Sequence, residues 1–465
     1  MRRLVIIGGG ITGLAAAWEA SSHDDVEVVV LEADDRLGGK IRTSVLELPD
    51  GPRTIDEGAD AFLARVPDAV ELCRELGLEG ELVHPASGRA KVFVDGELRF
   101  FPTEHVLGVP LDVDDLRATA IMSNGGLTAV AAEEASAAAA PDGDVAIGPF
   151  LGEHFGRELV EHVVGPLVGG INAGDVDRLS LAAVTPQLAE AAADGGSLAV
   201  ALRRRRAAQP PSGPVFSGLP EGTGRLVEEL ARQCRDRGVL IHTGAAVTGC
   251  VPGPDRRLTV GIAHGTDRTE RTDADCVIVA TPAPAAASLL RHLSVDAASE
   301  LDAVEYCSVA LVTLAYDRSD VPVPLDASGF LVPRDAGLLL TAASWGSTKW
   351  AHWDDGRHVI LRVSAGHAGD DRGATLGDDE LIAGLRDDLR TTMHIEAAPL
   401  AVRISRWGRG FAQYTVGHLD RVDRVDAALR RDAPGVRFTG AAMRGVGIPA
   451  CIRQGRAAAR DLLGP

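Results

Sequence analysis

The segment Gly8-Gly9-Gly10-Ile11-Thr12-Gly13 constrains the fold of this chain most strongly, because of what stands on either side of it. Leu4 to Ile7 is a short apolar run that reads as a strand; Ile11 to Ala20 is rich in alanine and reads as a helix; Val26 to Leu31 reads as a second buried strand. Strand, glycine turn, helix and strand in succession make one βαβ unit, the opening of a doubly wound parallel sheet. Each glycine then has a task. Gly8 makes the tight turn, Gly10 lets backbone approach a pyrophosphate, and Gly13 permits close helix-to-sheet packing, while the helix N-terminus supplies partial positive charge. Glu32 follows Gly13 by 19 residues, at the end of the second strand, where a carboxylate accepts ribose hydroxyls and repels a phosphorylated ribose.

At 465 residues the chain has room for two or three domains with a substantial core. No stretch reaches the length of uninterrupted apolar sequence that a spanning helix requires. The formal charge of −19 argues against nucleic acid or anionic lipid as a general partner, since both demand neutralised phosphate, so an anionic substrate needs a local basic patch. Only three of the 47 basic residues are lysine, namely Lys40, Lys91 and Lys349. Six scattered cysteines without a CxxC pair predict no disulfide framework and a reducing cytoplasm. Thirteen histidines, equally scattered, predict no metal centre.

Further along, Pro67 to Leu76 reads as a helix stopped by Gly77, and Asp95-Gly96 joins Val92 to Val94 and Leu98 to Phe101 in a hairpin. From Thr103 to about Arg206 the texture is alanine-rich and helical, and the proline-rich stretch Gln209 to Ser217 reads as a return linker. Gly224 to Arg237 is a helix by the spacing of Leu226, Leu230 and Cys234, followed by strands at Val239 to His242, Leu258 to Ala263 and Cys276 to Ala280. Strand-like runs at Cys307 to Tyr316, Ser328 to Val332, Leu338 to Ala343 and His358 to Ser364 suggest a second, antiparallel sheet. Val436 to Thr439 is a last strand and Cys451 to Leu463 a last helix.

Two segments bear on which dinucleotide is bound. Arg36-Leu37-Gly38-Gly39-Lys40 places glycines and cations past the ribose residue, where a cofactor longer than NAD would continue, although two glycines in a loop serve equally as a plain turn. Gly445-Val446-Gly447-Ile448-Pro449 leads into the closing helix, whose N-terminus offers N–H groups and about half a positive charge to the ring of a flavin.

These stretches, with Asp56 to Asp60 and the tail GVGIPACIRQGRAAA, make the chain resemble the protoporphyrinogen and coproporphyrinogen oxidase branch of the amine oxidase-like flavoproteins. PLVGGINAGDVDRLSL from 166, SGFLVPR from 328, SWGSTKW from 344 and QYTVGH from 413 extend the resemblance over nearly the whole length. It implies a mixed α/β chain: a Rossmann-like FAD-binding domain (1–85, 209–300, 405–465), an antiparallel-sheet substrate domain (86–102, 301–404) and an inserted helical subdomain (103–208). FAD contacts carried over by motif are Gly8, Gly9, Gly10, Ile11, Thr12, Gly13, Glu32, Ala33, Lys40, Gly58, Ala59, Asp60, Ala61, Val247, Trp407, Val446, Gly447 and Ile448. Trp407 also reads as ordinary core packing. On the substrate side Gly170 would lie against the macrocycle, and Arg89 and Lys91 stand where relatives place a propionate-binding cation, although both read equally as surface charges. Asn172 stands where many relatives carry an aromatic residue, and Ala412 replaces the usual proline.

The activity implied is dehydrogenation of a porphyrinogen to a porphyrin, with FAD as acceptor and dioxygen reoxidising it to give hydrogen peroxide. Aromatisation drives such chemistry, so no catalytic side chain is named. Coproporphyrinogen III is the expected substrate in heme biosynthesis, with transient contact to a ferrochelatase. Protoporphyrinogen IX is the alternative, and a flavin amine oxidase the reading from a different class, weakened by the scarcity of tyrosine to line a flavin.

Overall fold

The structure is a computed structural model that describes residues 1–210, 212–253, 257–265 and 268–464; Pro211 of the expected linker falls outside them. Its first layer is a five-stranded parallel sheet in the spatial order Leu240–His242, Val26–Leu31, Arg2–Ile7, Cys276–Val279, Val436–Phe438. Strand alternation splits the apolar runs between two cores. Leu4 and Ile6 face the helices Ile11–Ala20, Gly224–Asp236 and Ile448–Leu463, while Val5 and Ile7 face Ala283–Leu290, Val295–Asp302 and His418–Asp432. The closing helix crosses the first one so closely that a Cβ at Gly455 would overlap the Thr12 carbonyl oxygen, which brings the last helix back onto the glycine turn. A three-stranded antiparallel sheet, Ala246–Pro252, Leu258–His264 and Arg268–Ala274, adjoins the second core.

The second large sheet has seven strands in the order Ala401–Ala412, Tyr306–Asp317, His358–Ala365, Leu340–Trp345, Gly329–Leu331, Lys91–Val94, Glu97–Phe100. All neighbours are antiparallel except Gly329–Leu331 and Lys91–Val94, a parallel pair among the strands read as antiparallel. Helix Asp378–Met393 covers one face through Leu381, Leu385 and Leu389. The other face meets the helical segment, whose core includes Val92, Val94, Phe155 and Val164. That segment contains helices such as Ile147–Phe155 and Leu198–Ala208, and also a two-residue hairpin, His105–Val106 with Val109–Pro110.

Strand Ala401–Ala412 runs across the expected limit at residues 404 and 405, and all its pairing is with Tyr306–Asp317. The hairpin Thr43–Leu48 with Gly51–Asp56 was likewise absent from the sequence expectations. Among the described residues no helix is long and apolar enough to cross a membrane.

Candidate functional site

The glycine turn is built from backbone. Gly8 has φ of +109°, and a Cβ there would stand 2.7 Å from the Ala280 carbonyl oxygen; a Cβ at Gly13 would overlap the Gly8 oxygen. Both are required by the fold itself. Gly10 differs: its φ of −71° and ψ of 176° suit any residue, and a Cβ there would meet nothing within 4 Å. The fold alone does not ask for glycine at 10, whereas a ligand brought against the backbone does. Glu32 lies alongside, its carboxylate accepting from Gly9 N–H at 2.6 Å and Asp34 N–H at 2.9 Å. Ala33 is exposed next to it, and the Ala245 N–H bonds the Glu32 carbonyl, which sets the start of the strand bearing half-buried Val247 beside the same point.

The Arg36–Lys40 loop is laid against this turn rather than standing apart. Gly38 pairs with Gly10, and its N–H donates to the Gly9 carbonyl at 2.9 Å. Arg36 is consumed within the loop, donating to the carbonyls of Leu37, Gly39 and Ile41. Lys40 is not: among the described residues it has no hydrogen bond or ion pair. The residue is exposed, and desolvation by the atoms packed around its ammonium, which faces Cys451 and Cys307, still lowers its pKa. A cation so placed calls for an anion.

The closing helix, Ile448–Leu463, begins at the same place. Gly447 occupies its N-cap position without a side-chain cap, so the first turn's N–H groups remain available. Cys451, one turn in, meets the Thr12 hydroxyl, and burial raises its pKa. The segment before the helix is tied down: Tyr414 O–H donates to the Ala441 carbonyl and accepts from Gly445 N–H, both at 2.9 Å. An open glycine turn, a carboxylate alongside it, an unpaired lysine and an uncapped helix start fit a flavin dinucleotide. Gly8 to Gly13, Glu32, Lys40 and Val446 to Ile448 are the residues that would hold it.

The 58 to 61 loop is fixed from the second sheet. Arg362 donates to the Gly58 carbonyl at 2.7 Å and pairs with Asp60 at 3.2 Å; Lys349 Nζ and Trp350 Nε1 bond the other Asp60 oxygen at 2.8 and 3.0 Å. Burial works to raise the Asp60 pKa, and the Arg362 and Lys349 charges outweigh it, holding the carboxyl far below the usual range. Its side chain is therefore spent on structure, and Ala61 packs beneath it near Trp350, while Ala59 stays exposed. Trp407 donates to the Glu57 carbonyl at 2.8 Å and packs beside Cys307 and Val309. It is packing residue and buttress of Gly58 together.

Next to this point a cavity separates the second sheet from the helical segment. Val309, Leu311, Thr341 and Ser364 line it from the sheet, Gly165 and Gly169 from a widened helix of i→i+5 type, Val160–Gly169, and Gly170 from the turn Gly170–Asn172 that continues it. A Cβ at Gly170 would find only Leu331, at 3.8 Å, so a side chain there would project into open space. The loop beyond is held by buried Cys307, whose thiol donates to the Ala173 carbonyl at 3.2 Å, and by Gln413, which donates to the Asn172 carbonyl at 3.2 Å. Asn172 itself donates to Val168, within its own helix.

Arg89 and Lys91 do not reach this cavity. In the strand Lys91–Val94, Val92 and Val94 point to the helical segment, so Lys91 and Phe93 point to the opposite face. Lys91 is buried there, 2.6 Å from Asp326 and over the Phe100 ring, while exposed Arg89 stacks on the same ring at 3.5 Å. The cations that line the cavity are Arg334, Arg372 and, when protonated, His367, and among its lining residues none is acidic. Arg334 and Arg372 are exposed and His367 half-buried, and each lies in a short segment between strands, so nothing in the local sequence marks them as lining a cavity. A separate trio, Asp50, Asp355 and His358, gathers elsewhere, with Arg53 bonded to both carboxylates.

Residues 11–463 match the family model for flavin-containing amine oxidoreductases. Over 99% of this chain and 98% of the relative, it is 34% identical to coproporphyrinogen III oxidase of Bacillus subtilis. Protoporphyrinogen oxidase of Homo sapiens is 28% identical over 100% of this chain and 98% of its own. A crystal structure from Exiguobacterium sp. 255-15 superposes with a TM-score of 0.87 at 32% identity, covering 99% of this chain and 98% of that one. The chain belongs to the flavin-containing amine oxidoreductase family and is an FAD-dependent oxidoreductase.

Proposed function

We propose that the protein oxidises coproporphyrinogen III to coproporphyrin III in heme biosynthesis, with dioxygen as final acceptor and hydrogen peroxide as by-product. The observation that carries this reading is the character of the cavity: one wall of glycine, against which a flat ring can lie, and ionisable lining side chains that are two arginines and a histidine, without an acidic one. An amine substrate would ask for the opposite charge. The similarity to coproporphyrinogen III oxidases over the full chain points the same way.

FAD, when bound, supplies the electron acceptor, and the residues proposed to hold it are Gly8 to Gly13, Glu32, Lys40 and Val446 to Ile448. The chain's own contribution is positional. Gly169 and Gly170 admit the ring closely, Leu311 and Val309 exclude water, and Lys40 with the uncapped helix start offers positive charge near the reacting end.

The test is to follow porphyrin fluorescence and peroxide from purified, FAD-loaded protein given coproporphyrinogen III, protoporphyrinogen IX or a panel of amines. Faster turnover of coproporphyrinogen supports the reading. Preference for protoporphyrinogen replaces the substrate, and peroxide from amines alone overturns the reaction class.

A further inference from the structure

The three cavity cations differ in how their charge is balanced. Arg372 is committed to Asp370, with Nε 3.0 Å from each carboxylate oxygen and Nη2 2.6 Å from one of them. His367 has its pKa lowered by burial, and its Nδ1 faces the Ala368 carbonyl at 2.9 Å, so the ring is neutral at pH 7. Arg334 is held by carbonyls instead: Nη2 donates to Gly174 at 2.8 Å and Nη1 to Ala368 at 3.2 Å. Its nearest carboxylate, Asp175, is 3.8 Å away, outside hydrogen-bond distance. Two carbonyls orient the guanidinium without cancelling its charge, and its remaining N–H groups are left for a ligand.

The orientation is also tied to the rest of the cavity. Gly174 belongs to the loop after Gly170, and Ala368 N–H donates to the Ala173 carbonyl at 2.8 Å, so that loop and the Arg334 head are tied together. We propose that Arg334 is the carboxylate-binding residue of this cavity, receiving a propionate of the substrate through a charge-assisted, two-point contact; this rests on the porphyrinogen reading above. It replaces Arg89 and Lys91, which the register of their strand turns to the other face, as the substrate's cationic contact.

The experiment uses FAD-loaded wild type, Arg334→Gln and Arg334→Lys. With coproporphyrinogen III, Arg334→Gln is expected to raise KM about tenfold or more with little change in kcat, and Arg334→Lys to recover part of it, since a charged hydrogen bond is lost in one and partly kept in the other. Quenching titrations with coproporphyrin III and its tetramethyl ester supply a readout that a loosened loop would not mimic. Wild type should favour the acid over the ester, and Arg334→Gln should erase that preference. An unchanged KM, or an acid preference that survives in Arg334→Gln, overturns the assignment. Wild type that oxidises no porphyrinogen overturns the underlying function instead, a separate outcome.

Discussion

The glycine cradle proposed to hold FAD and the cavity proposed to take the substrate, here the cofactor end and the substrate end, are built from different materials. The first is made of backbone: Gly8 and Gly13 let the turn close, Gly10 leaves open space, the start of helix Ile448–Leu463 leaves N–H groups uncapped, and only Glu32 and Lys40 add side chains. The second is made largely of side chains set out on a sheet face, where strand register brings Leu311 and Ser364 together and Arg334 joins them from the turn after Gly329–Leu331. A backbone cradle can be recognised from local residue types, whereas a sheet-face cavity exists only once long-range pairing is known. It follows that substitutions at the two ends should fail differently, and the contrast can be tested from its most severe case downward.

Asp60 gives the largest expected effect, and it is a residue whose motif belongs to the cofactor end while its side chain does not. Asp60→Asn leaves Arg362 and Lys349 without their buried partner and should cost about 3–5 kcal/mol of stability. FAD affinity of the folded protein should be unchanged. Denaturant unfolding beside flavin titration checks this; lost FAD with an unshifted midpoint would return Asp60 to the cofactor.

His418 sits where the two ends are joined. It is fully buried, stacked on Tyr414 at 3.9 Å, with Nε2 bonded to the Met443 carbonyl at 2.8 Å. Burial, opposed by the hydrogen bond to Met443 and weakly by Asp144 and aided by Arg421 and Arg444, lowers its pKa from 6.5 to about 4. The neutral ring is therefore the form the fold holds. As pH falls below 6.5 the unfolded chain takes up a proton that the folded protein refuses until about pH 4, so stability is lost across that window. The full loss is on the order of 3 kcal/mol. His418→Phe keeps the stack but cannot titrate, so its stability deficit relative to wild type should narrow over the same window. A deficit independent of pH would remove His418 as the cause.

Gly10→Ala probes the cradle alone. Because its dihedrals are ordinary and its Cβ would touch nothing, unfolding of the FAD-free protein should be unaffected. FAD should bind roughly ten- to a hundredfold more weakly, about 1.4–2.8 kcal/mol, as the methyl enters the space for the pyrophosphate. Unweakened binding, measured by flavin fluorescence, would break the distinction between ligand-required and fold-required glycines.

What the sequence disclosed follows the same division. The βαβ opening was legible residue by residue because glycine, apolar run and acidic residue all lie within one local unit. Strand Ala401–Ala412 was not, because it forms the sheet's edge and is mostly half-exposed, with Arg403, Arg406 and Arg409 interrupting any apolar alternation. The face that Lys91 occupies was not legible for want of one fact, its pairing with Phe330. Arg334 follows Pro333 in a short turn, and nothing local separates it from a solvent-facing arginine.

Among the substitutions that disturb the fold, the smallest effect on stability is expected at Tyr414, and it reports on the joint itself. The stretch from Gln413 to His418 touches both ends: Gln413 bonds Cys307 and the Asn172 carbonyl beside the cavity, and Gly417 N–H bonds Asp144 of the helical segment. Tyr414 and His418 bond Ala441, Gly445 and Met443 before the closing helix. Tyr414→Phe keeps the ring stacked and removes only the hydroxyl, leaving Gly445 N–H and the Ala441 carbonyl without that partner, at about 1–2 kcal/mol. If the hydroxyl merely stabilised the fold, the loaded enzyme would keep its flavin spectrum and its kcat. If it fixes the helix start against the ring, the flavin absorption bands should shift and kcat should fall several-fold while KM holds, because the substrate cavity is untouched. A variant with lowered stability but a wild-type spectrum and kcat would show that the two ends are positioned independently.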